Sequence, residues 1–260
     1  MRALFMLLVI GFICGGTLSG VASEKHVPMN SRTLYHEIGL EGIVDYVVFE
    51  RAVAGFNQTD SLAKDILTLI DFSKPSTEKR LYVINLTLKK LMYVSYVSHG
   101  RNSGGKYATS FSNREGSYKS SLGFYRTENT YYGKNGYSLV LDGLEKGIND
   151  KAKERAIVMH GAAYADPSTI RSCGRLGRSL GCPALPLAVS KQIIDTIKGG
   201  TLLYINTPRP QAVFTTQGRG VRCYLLRRWG GVNPPPRRPR PPARSRSLRR
   251  RCPPGWPHSP

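Results

Sequence analysis

Residues 158–186 read VMHGAAYADPSTIRSCGRLGRSLGCPALP, and the rest of the chain is best understood outward from them. Ala156–Met159 is a short apolar run, the pattern of a buried strand that delivers a polar residue, His160, at its end. Downstream, Cys182 stands in Ser179-Leu180-Gly181-Cys182-Pro183, where the glycine before it permits a sharp turn. A thiol is a useful nucleophile only as a thiolate, and an imidazole within reach can take its proton. Backbone N–H groups at Gly181 and Cys182 are then expected to point at the oxygen of a tetrahedral intermediate, where electrostatic stabilisation of acyl transfer is greatest. The pattern predicts a Cys182 nucleophile and a His160 base that meet in an open groove once the loop between them folds back.

After Cys182–Pro183 a helix is expected over Leu187–Lys198, with positions 189, 193, 194 and 197 on one side and Gly199 as its C-terminal cap. A last strand, Thr201–Asn206, closes at Pro208. Upstream, Ile66–Phe72, Leu81–Leu88 and Leu91–Val97 are rich in β-branched and aromatic residues and bounded by turn formers, which predicts a meander or hairpins. Residues 100–121 predict a long ordered loop, and Gly123–Arg126 and Tyr137–Leu141 predict short strands. Residues 40–57 fit one apolar helical face. The fold class is therefore mainly β with a few helices: a helical segment over 24–64, then one domain over 65–210 with no internal repeat or linker.

The two ends differ from this middle. Arg2, the apolar run Ala3–Cys14 and the small residues after it predict a secretory signal peptide over 1–23, too short in its apolar stretch to span a bilayer. The protein is thus expected to be exported, periplasmic or cell-wall-associated, with no integral membrane segment after cleavage. From Gly218 to Pro260 there are 12 Arg, 10 Pro and no Lys, Asp or Glu. Such a segment cannot bury enough surface to offset its ordering entropy, so a disordered Arg/Pro-rich tail is expected over 218–260. It carries 12 of the +21 formal charge. The abrupt change in Lys/Arg usage after Gln217 suggests a shifted reading frame; association with anionic wall polymers is the other reading, and nucleic acid is disfavoured for an exported protein. Of five cysteines, only Cys173 and Cys182 fall in the domain. A bridge between them would disable either thiol; the Gly-Cys-Pro setting instead favours a free Cys182. No zinc-hydrolase histidine spacing is present, so no metal and no cofactor are expected.

His160-Gly161, the S-x-G-C run at 179–182, the following helix and the G-T-x-x-x-I strand resemble the L,D-transpeptidase catalytic domain. His99-Gly100-Arg101-Asn102-Ser103-Gly104, Phe111-Ser112-Asn113, Ser120–Tyr125 and Leu141–Glu145 resemble the YkuD-like murein L,D-transpeptidase branch more closely, and the likeness covers residues 65–207. The resemblance implies a β-sandwich catalytic domain acting on peptidoglycan stem peptides. In that chemistry a cysteine attacks the carbonyl before the terminal D-alanine, and an amine (a 3–3 cross-link) or water resolves the thioester. By position, Cys182 maps to the nucleophile, His160 to the base, Gly181 to the turn and oxyanion region and Ser179 to the family's serine. Leu180 stands where the family has a second histidine, and Pro183-Ala184 where it often has Arg or Asn. With Gly at 161, the group that orients His160 is unassigned. Gly161, Tyr164, Arg178 and His99 are candidate substrate contacts. A papain-like or NlpC-type peptidase would place its cysteine before its histidine, and a sortase would need T-x-T-C and a downstream arginine. A wall-binding module that has lost turnover is the non-enzymatic alternative.

Overall fold

The computed structural model describes residues 28–207. The segments expected to be a signal peptide (1–23) and an Arg/Pro-rich tail (218–260) lie outside the described residues, as do Cys14, Cys223 and Cys252.

Eight strands form one sheet in the order β3-β2-β1-β8-β4-β5-β6-β7. They are β1 (Ile66–Asp71), β2 (Leu81–Asn85), β3 (Lys90–Ser95), β4 (Gly123–Gly133), β5 (Gly136–Gly143), β6 (Val158–Gly161), β7 (Ala184–Leu185) and β8 (Leu202–Asn206). Only β1–β8 and β6–β7 pair in parallel. Just past β3, Ser98 bridges Ala184 in β7, so the two ends of the strand order are brought together. The mainly β expectation is met.

Why the central strands are buried almost along their whole length follows from what covers them. Along β1, Ile66 and Ile70 enter one core with Leu81, Val83, Leu203 and Ile205, while Leu67 and Leu69 enter a second with Tyr82, Ile84, Leu202 and Tyr204. That is the period-two alternation of a strand buried on both faces. The second core is covered by α1 (Ser31–Ile38) and α2 (Tyr46–Gln58), which supply Leu34, Phe49, Ala52, Val53 and Phe56. Each large side chain so buried contributes about 1.5–3 kcal/mol. The first core is completed by Ile193, Ile194 and Ile197 of α4 (Leu187–Ile197).

Most strand and helix ends shift by one to three residues from expectation, as at β2, which ends at Asn85, and two boundaries shift further. The helix predicted over 40–57 begins at Tyr46, because Gly42 turns the chain at φ 73° and the Asp45 carboxylate accepts the Val48 N–H as the cap. An additional helix, α1, precedes it; Asn30 caps its start and Gly39, at φ 71°, its end. β4 also runs seven residues past Arg126, to Gly133, where a hairpin leads into β5.

Candidate active site

β6 and β7 run side by side with His160 opposite Ala184. Cys182 precedes β7 by two residues, as Val158 precedes His160 by two on β6. The Val158 N–H donates to the Cys182 sulfur at 3.5 Å, and the thiol donates to the Ala156 carbonyl at 3.6 Å. The strand that carries the imidazole therefore holds the sulfur with its own backbone. Cys182 is a free cysteine, so the Cys173–Cys182 bridge weighed from the sequence is not formed.

His160 Nδ1 lies 3.0 Å from the Gly161 carbonyl. A carbonyl only accepts, so Nδ1 carries the proton and Nε2 is the basic nitrogen. The orienting group missing from the sequence is thus the backbone of Gly161. A Cβ at 161 would lie 2.4 Å from Ser190 Oγ and 3.0 Å from Leu187 Cδ2, so the glycine is what lets α4 pack against the end of β6. Gly161→Ala is expected to cost about 1–3 kcal/mol by overpacking, read as a lowered midpoint in urea unfolding.

The turn around Cys182 is fastened internally. Ser179 Oγ donates to the Cys182 carbonyl at 2.6 Å and accepts the Gly181 N–H at 3.1 Å. Gly181 sits at φ 134°, a backbone region that side chains rarely adopt. From outside, Ser120 Oγ donates to the Gly181 carbonyl at 2.9 Å and accepts the Gly100 N–H, while Ser103 Oγ accepts the Ser120 N–H. The turn is therefore braced by the 99–104 and 117–121 segments. Nothing in the sequence marks Ser120 and Ser103 for this task; only the fold brings their hydroxyls to the turn.

Several sequence expectations are corrected by these positions. The Gly181 N–H is taken by Ser179 and does not face a substrate. Cys182 is 8% exposed and packs in the first core, so the expected open groove is not present at the sulfur. Burial raises the Cys182 thiol above its ordinary value, with the Val158 N–H and Arg155 pulling the other way. Burial also lowers His160, partly offset by the Gly161 carbonyl. Both groups therefore rest in their neutral forms, with no hydrogen bond between them. His99 is 1% exposed and cannot line a cleft. Its Nδ1 accepts from Arg80 Nη2 at 2.8 Å. Arg178 donates to the Arg101 and Gly104 carbonyls at 2.9 Å each, stapling the 99–104 turn rather than reaching outward. Tyr164 packs edge-on to the His160 ring at 6.5 Å, and burial raises its hydroxyl. Gly161 contributes a backbone carbonyl to His160 and room for α4. Leu180, two residues before Cys182, is 43% exposed.

His99 carries a pH consequence. Burial and the Arg80 charge lower it from 6.5 to about 3. The fold prefers the neutral ring, so this stabilisation is complete above the unfolded value and is lost as pH falls from about 6.5 towards 3. Between pH 7 and pH 5 the parent is expected to lose about 2 kcal/mol more than His99→Gln in urea unfolding. Equal losses would remove His99 as the cause.

The structure thus sets a free thiol, two residues before β7, beside the strand that carries an oriented imidazole, in a mainly β domain. A family model described as "L,D-transpeptidase catalytic domain" matches residues 41–206, well over half of the chain. This chain belongs to the L,D-transpeptidase catalytic domain family. No curated protein matches it. Among solved structures it is similar to an L,D-transpeptidase from Mycobacterium smegmatis (11% identity, TM-score 0.34, covering 55% of this chain and 59% of that one). It is also similar to one from Stackebrandtia nassauensis (14%, 0.35, 69% and 77%) and to L,D-transpeptidase 3 from Mycobacterium tuberculosis (11%, 0.34, 55% and 61%). The match thus spans less than two thirds of the first and third of these, and at such scores these likenesses add no weight to the family assignment.

Proposed function

We propose that this protein is a cysteine acyltransferase on peptidoglycan stem peptides, with Cys182 as nucleophile and His160 as general base. The observation that carries the reading is the pairing of a free Cys182, held by the β6 backbone, with an imidazole whose Nδ1–H is fixed on the Gly161 carbonyl. Nε2 is then the nitrogen that receives the thiol proton as sulfur attacks the carbonyl before the terminal D-alanine. The imidazolium returns that proton to the departing D-alanine amine, leaving a Cys182 thioester. An amine of a neighbouring stem then gives a 3–3 cross-link, or water gives a trimmed stem. Since both groups are neutral at rest, proton transfer accompanies attack rather than preceding it. Ser179 and Gly181 act by shaping the turn. The reading implies export to the periplasm or cell wall; no helix among the described residues is long and apolar enough to cross a membrane.

The test is incubation with disaccharide-tetrapeptide muropeptides. D-alanine release, with cross-linked dimer or tripeptide product, is expected. The second reading is a wall-binding module with no turnover, favoured by the buried sulfur and by Leu180; it predicts binding to wall fragments without any release.

A further inference from the structure

Leu180 and Pro183 leave the nucleophile turn with no cationic side chain of its own, yet the turn is not without a cation. Arg155 lies just before β6, and its guanidinium packs against the turn from the side. A Cβ on Gly181 would lie 3.4 Å from Arg155 Nη2. Four bonds fix the fork there: Nη1 donates to the Ser112 carbonyl at 2.8 Å and Ser121 Oγ at 3.1 Å, and Nη2 donates to the Lys119 carbonyl at 2.5 Å and Ser117 Oγ at 3.5 Å. All four acceptors are uncharged, and no carboxylate pairs with Arg155 among the described residues. A half-buried guanidinium without an acid partner keeps its field for whatever negative charge forms nearby. Of the charged groups near the turn, Arg155 is the one that acts on the sulfur; Tyr164 also faces the sulfur and Tyr125 faces the guanidinium, and burial keeps both phenols neutral.

We propose that Arg155 is the positioning cation of the nucleophile turn: pinned by the 112–121 loop, it stabilises negative charge on the Cys182 sulfur and supplies from another part of the chain the positive charge that Leu180 and Pro183 do not. Its purpose rests on the acyltransferase reading, but its effect on the thiol does not depend on turnover. The same placement makes the 112–121 loop part of the site: loosening the loop moves the charge. The field acts in both directions, since a thiolate at 182 also favours the charged guanidinium.

The test follows iodoacetamide alkylation of the Cys182 peptide by mass spectrometry across pH, in the full-length parent and in Arg155→Lys and Arg155→Gln. Lysine keeps the charge and loses the fork; glutamine keeps a hydrogen-bond donor and loses the charge. The midpoint of the rate–pH profile is expected to rise by about one unit or more in Arg155→Gln, roughly a tenfold smaller thiolate fraction at lower pH, and by clearly less in Arg155→Lys. If Arg155→Gln does not fold, Arg155→Met, which keeps the aliphatic stem, is expected to show the same rise. A midpoint unmoved by loss of charge, or moved as far by lysine as by glutamine, would overturn the proposal and leave Arg155 as a fastener of the loop. Arginine-dependent alkylation in a parent that releases no D-alanine would uphold this role and defeat the acyltransferase reading.

Discussion

Cys182→Ala is expected to reduce D-alanine release from tetrapeptide muropeptides by at least about a thousandfold, to background, while unfolding cooperatively in urea. The size follows from the chemistry: without sulfur there is no thioester, and water held by the remaining groups is a poor substitute. Stability should change little by comparison. The sulfur makes two weak bonds to the β6 backbone, and those strands are also tied by the His160–Ala184 and Gly161–Leu185 pairing. Loss of a small buried atom costs on the order of 1 kcal/mol. Comparable release from the variant would reassign the nucleophile; an unfolded variant would show that the sulfur is a core atom first.

The second large effect is expected on folding. Arg80 is fully buried. Its guanidinium donates to the Lys74 carbonyl at 2.9 Å, to the Val97 carbonyl at 3.1 and 2.8 Å and to His99 Nδ1 at 2.8 Å, and lies 4.8 Å from the centre of the Phe72 ring. Burial lowers its pKa to about 9, with Asp71 opposing. Arg80→Met preserves much of the volume but leaves two carbonyls and an imidazole nitrogen without their donor. Each orphaned acceptor costs about 1–3 kcal/mol, so a total loss of about 3–5 kcal/mol is expected in urea unfolding. That is a large part of a typical domain's stability. A loss under about 1 kcal/mol would mean that water or a rearranged turn satisfies those groups. The effect should reach the site as well, because the His99 carbonyl accepts the Ser179 N–H and the Arg101 N–H donates to the Ser179 carbonyl.

These two residues also mark where the sequence is legible. β1, β2 and β8 stand out as near-continuous apolar runs because both faces are covered, and α4 because its buried isoleucines recur on one side. The far half of β4, TENTYYG, is half-exposed and polar, so it has neither alternation nor an apolar run, and only its pairing with β5 makes it a strand. Helix α1 did leave marks, Asn30 and Gly39, but its eight residues are too short a window for apolar periodicity to decide. At the proposed site, the positions of Cys182 in a turn and His160 in a strand are legible from the Gly-Cys-Pro run and the apolar run before the histidine. What orients and braces them is not. The Gly161 carbonyl has no side-chain signature, and the Ser120 hydroxyl acts from 62 residues away in sequence. Arg80 and Arg155 look like ordinary solvated cations until the fold buries one and sets the other against Gly181. His99 misleads in the opposite sense: a histidine in a glycine-rich turn suggests a cleft, whereas here the ring is buried against Arg80.

The central claim, that sulfur at 182 forms the acyl bond with help from the imidazole at 160, is tested most directly by trapping the intermediate. The full-length protein is mixed with tetrapeptide muropeptide, quenched in acid within a turnover and digested, and the peptide containing Cys182 is weighed. A disaccharide-tripeptide acyl group on Cys182 in the parent, absent in Cys182→Ala and strongly depleted in His160→Gln, is the predicted result. D-alanine released while Cys182 stays unmodified, or an acyl group that forms as fast in His160→Gln as in the parent, would contradict it.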